Sequence, residues 1–127
     1  MIKYENIHHV SLCVTDIERS KQFYGGLLGL IEVERPNFDF PGAWYQIGSS
    51  QLHLIQNNGA ESLRSSKTID SRDGHFAIRV KSYEDTLQYL NDHGLKVEAK
   101  PNSKSGFKQI FCMDPDNNLI EFNVDQN

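Results

Sequence analysis

Cysteine is scarce: two thiols in 127 residues, Cys13 and Cys112, lie far from any CxxC spacing, and a chain of this size should fold without a disulfide framework. Each lies inside an apolar, strand-like run and reads as a reduced core thiol of a cytoplasmic protein. Long apolar runs are missing too. No stretch approaches the ~20 apolar residues that cross a bilayer. Met1 to Val14 lacks the unbroken apolar core and small-residue cleavage site of a signal peptide, so no membrane partner is expected. Positive charge is not in excess: 13 Lys and Arg against 17 Asp and Glu leave a net charge of -4. Such a chain has no basic surface for a phosphate backbone, which argues against nucleic acid as a partner. Nor is there a run of like charges. With 38% hydrophobic and 24% charged residues the composition is that of a soluble globular protein, large enough to bury roughly two thirds of its unfolded surface.

What is present is a duplication. His9-Val-Ser-Leu-Cys-Val14 matches His75-Phe-Ala-Ile-Arg-Val80 at an offset of 75 minus 9, or 66, and both runs alternate as half-buried strands do. Each is followed by a helix-start signal, Thr15-x-x-Glu18 and Ser82-x-x-Asp85, with a hydroxyl and a carboxylate spaced to satisfy amide donors of the first turn. One apolar stripe follows in each helix, through Ile17, Tyr24, Leu27 and Leu28 and through Tyr83, Leu87 and Leu90. Both helices should stop at glycine, Gly29 and Gly94, where further strands begin. Two more strands close each half: 43–47 and 51–55 around the Gly48-Ser-Ser50 turn, then 107–113 and 118–124 around Asp114-Pro-Asp-Asn117. The predicted fold is α+β, two tandem βαβββ modules in one domain over 1–127. Module one covers about 5–55, a polar joint 56–72, and module two about 73–125, with the helices on the outer face of a curved mixed sheet around a metal cavity.

Strand parity selects a site. Side chains alternate across a strand, so if Val10, Leu12 and Val14 pack under a helix, His9, Ser11 and Cys13 face the other way. The same logic turns His53 away from Leu52 and Leu54, His75 away from Phe76 and Ile78, and Glu121 away from Ile120 and Phe122. His9 and His75 are repeat-related, and so are His53 and Glu121, offset by 121 minus 53, or 68. A single histidine among apolar neighbours is most often a satisfied core or surface residue. Four donors at equivalent positions with one parity instead read as ligands of a divalent metal, Zn, Ni, Co, Fe or Mn. His8 has the opposite parity and His93 sits at a helix end, so both fall outside the expected set.

Residues of matching parity outline a pocket for a small, partly apolar, oxygen-bearing molecule: Trp44, Gln46, Gln51, Gln109, Phe111 and Met113. Ordinary core packing is the competing account of Trp44 and Phe111. Arg79 needs an anionic partner, either a carboxylate of the protein or one of the substrate. The loop 35–42, with Phe38 and Phe40, is a cover for the pocket mouth or a dimer contact.

Several motifs, His9-Val with Asp16, Phe23-Tyr24, Leu28-Gly29-Leu30, Leu52-His-Leu-Ile55, Gly74-His75 and Asp114-Pro-Asp-Asn-Asn-Leu-Ile-Glu121-Phe, resemble the vicinal oxygen chelate superfamily. That group includes glyoxalase I, fosfomycin-resistance thiol transferases, extradiol dioxygenases and bleomycin-binding proteins. The resemblance spans nearly the whole chain and implies the same ligand set, His9, His53, His75 and Glu121. It also implies a homodimer and a small-molecule substrate whose vicinal oxygens the metal chelates. A glyoxalase-like lyase or isomerase would use Glu121 and His53 for proton transfer, with Trp44, Gln51, Arg79, Gln109 and Phe111 around the substrate. Two departures weigh on the reaction. His53 stands where standard glyoxalase I has a glutamate, and Ser11 stands where bacillithiol-type transferases carry a cysteine. A non-catalytic binding or resistance protein and an extradiol-type dioxygenase are the alternatives.

Overall fold

A computed structural model describes residues 1–59, 64 and 66–127. The chain divides into two compact units, Met1–Glu61 and Ser62–Asn127, and the division falls inside the expected joint. Positions 60–63 and 65 of that joint lie outside the described residues.

The first unit runs β1 (His9–Val14), α1 (Ile17–Lys21), a π-helical turn (Gln22–Leu27), β2 (Ile31–Val33), β3 (Gly42–Ile47) and β4 (Ser50–Gln56). Its sheet order is β1-β4-β3-β2; β1 and β4 are parallel, and the other pairs are antiparallel. The second unit repeats the plan with β5 (Phe76–Arg79), α2 (Tyr83–Asp92), β6 (Val97–Lys100), β7 (Phe107–Met113) and β8 (Leu119–Asp125) in the order β5-β8-β7-β6. This is the α+β, twice-βαβββ fold, with each helix packed on its own sheet: α1 against β3 and β4, α2 against β6, β7 and β8.

Burial follows the predicted parity. Leu12, Val14, Ala43, Tyr45, Leu52 and Leu54 are buried in the first unit, as are Ile110, Cys112, Ile120 and Phe122 in the second. On β8 the alternate set Leu119, Glu121 and Asn123 is buried as well, so both faces of that strand are withdrawn from solvent. Both helix-ending glycines are left-handed, Gly29 at φ 71° and Gly94 at φ 74°, the conformation in which a Cβ would be strained.

Four local expectations are corrected. The cap of α1 is Asp16, whose carboxylate accepts from the Arg19 amide at 3.2 Å. Thr15, one residue earlier, instead accepts a hydrogen bond from the Arg19 side chain at 2.9 Å. Ser82 does cap α2, accepting from the Asp85 amide at 3.1 Å. The first helix does not stay α to its end: it widens into a π turn through Gly25-Gly26, where two residues without Cβ tolerate the looser winding, and Gly25 lies over the Tyr45 ring. The strand expected to start at Gly94 begins at Val97, and β5 begins at Phe76 rather than His75.

Candidate metal and substrate site

In the first unit, register places Ser11, His53 and Trp44 side by side on β1, β4 and β3, with His9, Gln51 and Gln46 in the neighbouring row. Alternation turns these side chains to the face opposite α1. Three rings stack there: Trp44 on His53 with centroids 4.0 Å apart at 3°, and His53 on His9 at 4.1 Å and 14°. Phe38 leans on Trp44 at 6.4 Å and stacks on Phe40, while the Arg35 guanidinium lies over both phenyl rings.

His53 is 7% exposed. Burial, then the nearby His9, His8 and Arg35, holds its imidazole below the usual histidine range, so its neutral, donor-competent form persists into mild acid. Its Nε2 lies 2.8 Å from Gln51 Oε1. His8, set aside on parity, brings its Nδ1 within 2.8 Å of His9 Nδ1. Because β1 starts at His9, strand alternation does not govern His8, and only the end of the strand could have revealed it.

The second unit presents a different pair. Ala77, Glu121 and Phe111 align across β5, β8 and β7, with Arg79, Asn123 and Gln109 in the next row. His75 Nε2 lies 3.0 Å from Glu121 Oε1. Its Nδ1 is 2.8 Å from the Asp73 carbonyl oxygen; a carbonyl only accepts, so Nδ1 carries a proton and Nε2 is the nitrogen turned to the carboxylate. Behind His75, Asp73 is held by Arg64 at 3.2 Å. The Gly74 amide and the Arg64 guanidinium keep the Asp73 carboxyl below the usual carboxylate range. Arg64, 8% exposed, also donates to the carbonyls of Asn117 and Thr68. On Glu121, Oε2 accepts from Asn123 Nδ2 at 2.8 Å, and the edge of the His75 ring meets Phe111 at 5.4 Å.

Among the described residues, neither unit by itself gathers three His, Cys, Asp or Glu side chains as a metal cage. Each presents two of the four expected donors, His9 with His53 and His75 with Glu121. Their chemistry fits a borderline divalent ion. One imidazole nitrogen is fixed beside a carboxylate, a second imidazole is held below the usual histidine range, and Nδ1 of His75 is tied back to a carbonyl, which leaves Nε2 as the nitrogen for an ion. Of the expected substrate residues, Trp44 and Gln51 touch His53 directly, and Phe111 touches His75. Gln109 is one row removed, with its backbone carbonyl accepting from the Tyr83 hydroxyl. Arg79 has its anion inside the protein: it pairs with Asp125 at 2.9 Å and lies over the Phe107 ring. His93 ends α2, its ring nitrogen 2.8 Å from the Tyr89 carbonyl oxygen, a placement that suits a helix C-terminus.

The model of the Glyoxalase/Bleomycin resistance protein/Dioxygenase superfamily matches residues 6–122. The chain is 28% identical over 119 residues to Glyoxylase I 4 of Arabidopsis thaliana, covering 91% of this chain and 68% of that protein. A solved glyoxalase family protein of Bacillus anthracis superposes with a TM-score of 0.81 at 22% identity, covering 98% of this chain and 99% of that one. A variant of the fosfomycin resistance protein FosX of Listeria monocytogenes, solved with manganese(II) and a dihydroxypropylphosphonic acid, superposes with a TM-score of 0.71 at 16% identity, covering 98% and 94%. At these identities the two structures speak for the fold.

Proposed function

Because the chain belongs to the Glyoxalase/Bleomycin resistance protein/Dioxygenase superfamily, we propose that it is a metal-dependent lyase or isomerase with His9, His53, His75 and Glu121 as ligands of one divalent ion. Its substrate is a small α-oxygenated carbonyl compound or the thiol adduct of one. The observation that carries this proposal is the His75–Glu121 pair, 3.0 Å apart with the imidazole proton tied back to Asp73. That arrangement brings Nε2 of an imidazole and a carboxylate oxygen together, two atoms that would both turn to an ion once one is bound. The manganese(II) in the FosX structure supports an ion of the Zn, Ni, Co, Fe or Mn group. When bound, such an ion supplies Lewis-acid stabilisation of negative charge developing on adjacent substrate oxygens.

The chain's own residues do the rest. Asn123 holds Glu121 Oε2, so Oε1, once released from the ion, would be the oxygen that takes a proton from one carbon and returns it to its neighbour. His53, kept neutral by burial, is the second proton acceptor. Trp44 stacks on His53 and Phe111 lies beside Glu121 in the strand register, which puts apolar surface next to both groups. The amides of Gln51 and Gln109 offer hydrogen bonds to substrate oxygens. Arg79, engaged with Asp125, reaches an anionic substrate only by exchanging partners. In keeping with its family, the chain works as a homodimer.

Metal analysis of purified protein followed by exchange of an α-proton into deuterated water tests the proposal. Exchange should be lost in Glu121→Gln and kept in Lys108→Gln, whose lysine pairs with Glu84. Absence of exchange with every metal of the group would instead favour a protein that binds its ligand without turning it over. Oxygen uptake that requires iron or manganese would favour a ring-cleaving dioxygenase.

A further inference from the structure

Gln46, on the same face as His53, makes an unusual set of contacts. Its Nε2 lies 2.8 Å from the Gly48 carbonyl oxygen and 3.2 Å from that of Ser50. Both are backbone acceptors and cannot donate, so the amino end of the Gln46 amide must face them whatever else changes. Its oxygen therefore faces Gln51, whose nearest amide atom is 3.2 Å away and has to be the amino group. That in turn fixes Gln51 Oε1 toward His53 Nε2, at 2.8 Å. An oxygen at that distance satisfies the ring only if Nε2 carries the hydrogen. Two turn carbonyls thus dictate, through two amides, which nitrogen of a buried imidazole is protonated. His75 instead has its Nδ1–H tied to the Asp73 carbonyl.

We propose that Gln46 and Gln51 form a positioning relay that holds the proton of metal-free His53 on Nε2 and makes Gln51 the group an incoming ion must displace. The competition rests on the metal reading above; the tautomer does not. Nε2 is the ring nitrogen farther from the β4 backbone, and an ion shared with other side chains reaches it with less crowding than Nδ1. Before it can do so, the Nε2–H···Oε1 bond must break and the proton must leave or move to Nδ1.

The experiment is long-range 1H–15N correlation of the imidazoles in metal-free full-length protein at about pH 8, where an ordinary histidine is neutral, with His53 assigned through His53→Gln. The expected result is an Nε2–H tautomer for His53. It should be kept in Gln51→Glu, which still offers an acceptor, and shifted toward Nδ1–H in Gln51→Leu and in Gln46→Leu. An Nδ1–H ring in the parent chain, or a tautomer indifferent to Gln51→Leu, overturns the relay; circular dichroism confirms that each variant is folded. A zinc titration followed by Trp44 fluorescence then tests the competition. Loss of one hydrogen bond to be broken should make Gln51→Leu bind about threefold to tenfold tighter. Equal or weaker binding overturns Gln51 as the displaced group. If the parent chain binds no metal, the proposed function fails while the tautomer result still decides the relay.

Discussion

Burial pushes the Cys112 thiol up to about 12, with the Asp114 carboxylate adding to the effect. The reactive species is the thiolate, so at about pH 8 an aromatic disulfide reagent should label no more than one thiol of the native protein, the half-buried Cys13. Both should react once the chain is unfolded, and counting released chromophore before and after denaturation checks this. Tyr45 is a second case. Its ring is 1% exposed and its hydroxyl is buried without a hydrogen-bond partner among the described residues. Burial, with Glu32 and Glu18 nearby, raises its pKa to about 12. Unfolded tyrosine ionises near pH 10, so between about pH 10 and 12 the unfolded chain releases a proton that the fold retains. Stability is therefore full below that window and declines as pH rises through it. Tyr45→Phe should remove the decline and raise neutral-pH stability by about 1 kcal/mol, since an unpaired buried hydroxyl is costly; urea melts at neutral and alkaline pH measure both.

Elements differ in how much of their geometry is local. Helix caps are local, yet the first one distinguishes two adjacent candidates: Asp16 has extended backbone and accepts the Arg19 amide, while Thr15 bonds a side chain. Asp16→Ala should cost about 1 kcal/mol in thermal or urea unfolding, as loss of a cap does, and Thr15→Ala much less; equal costs would assign the cap to both. The π turn at Gln22–Leu27 was not legible in the stripe of apolar residues, because the same spacing serves an α-helix. Its tertiary neighbour is the Tyr45 ring packed under Gly25, a contact made from β3.

At the scale of the whole molecule, two donors of each unit are proposed to serve one ion. A ligand that binds only the folded state stabilises it by about 2.7 kcal/mol at a hundredfold excess over Kd. Zinc or nickel should therefore raise the melting temperature of the parent chain, and a chelator should reverse it. The rise should vanish in His53→Ala and in His75→Ala alike, because each removes a ligand of the same ion. A rise that survives the loss of either histidine would assign the ion to one unit only. Light scattering on the same samples tests for the homodimer.

The duplication, the order of strands along each module and the strand faces that His53 and Glu121 take were readable from the sequence, because alternation and repeat offset are properties of neighbouring residues on one strand. The chain alone did not reveal that Trp44, His53 and His9 stack as three rings. Nor did it reveal that Arg79 already has Asp125 as its partner, or that His8 turns its ring to His9. Those facts depend on register between strands far apart in sequence and on where a strand ends. Periodicity tells which face a side chain takes; only tertiary packing decides which atoms it meets there, and so which nitrogen of an imidazole is left with its lone pair.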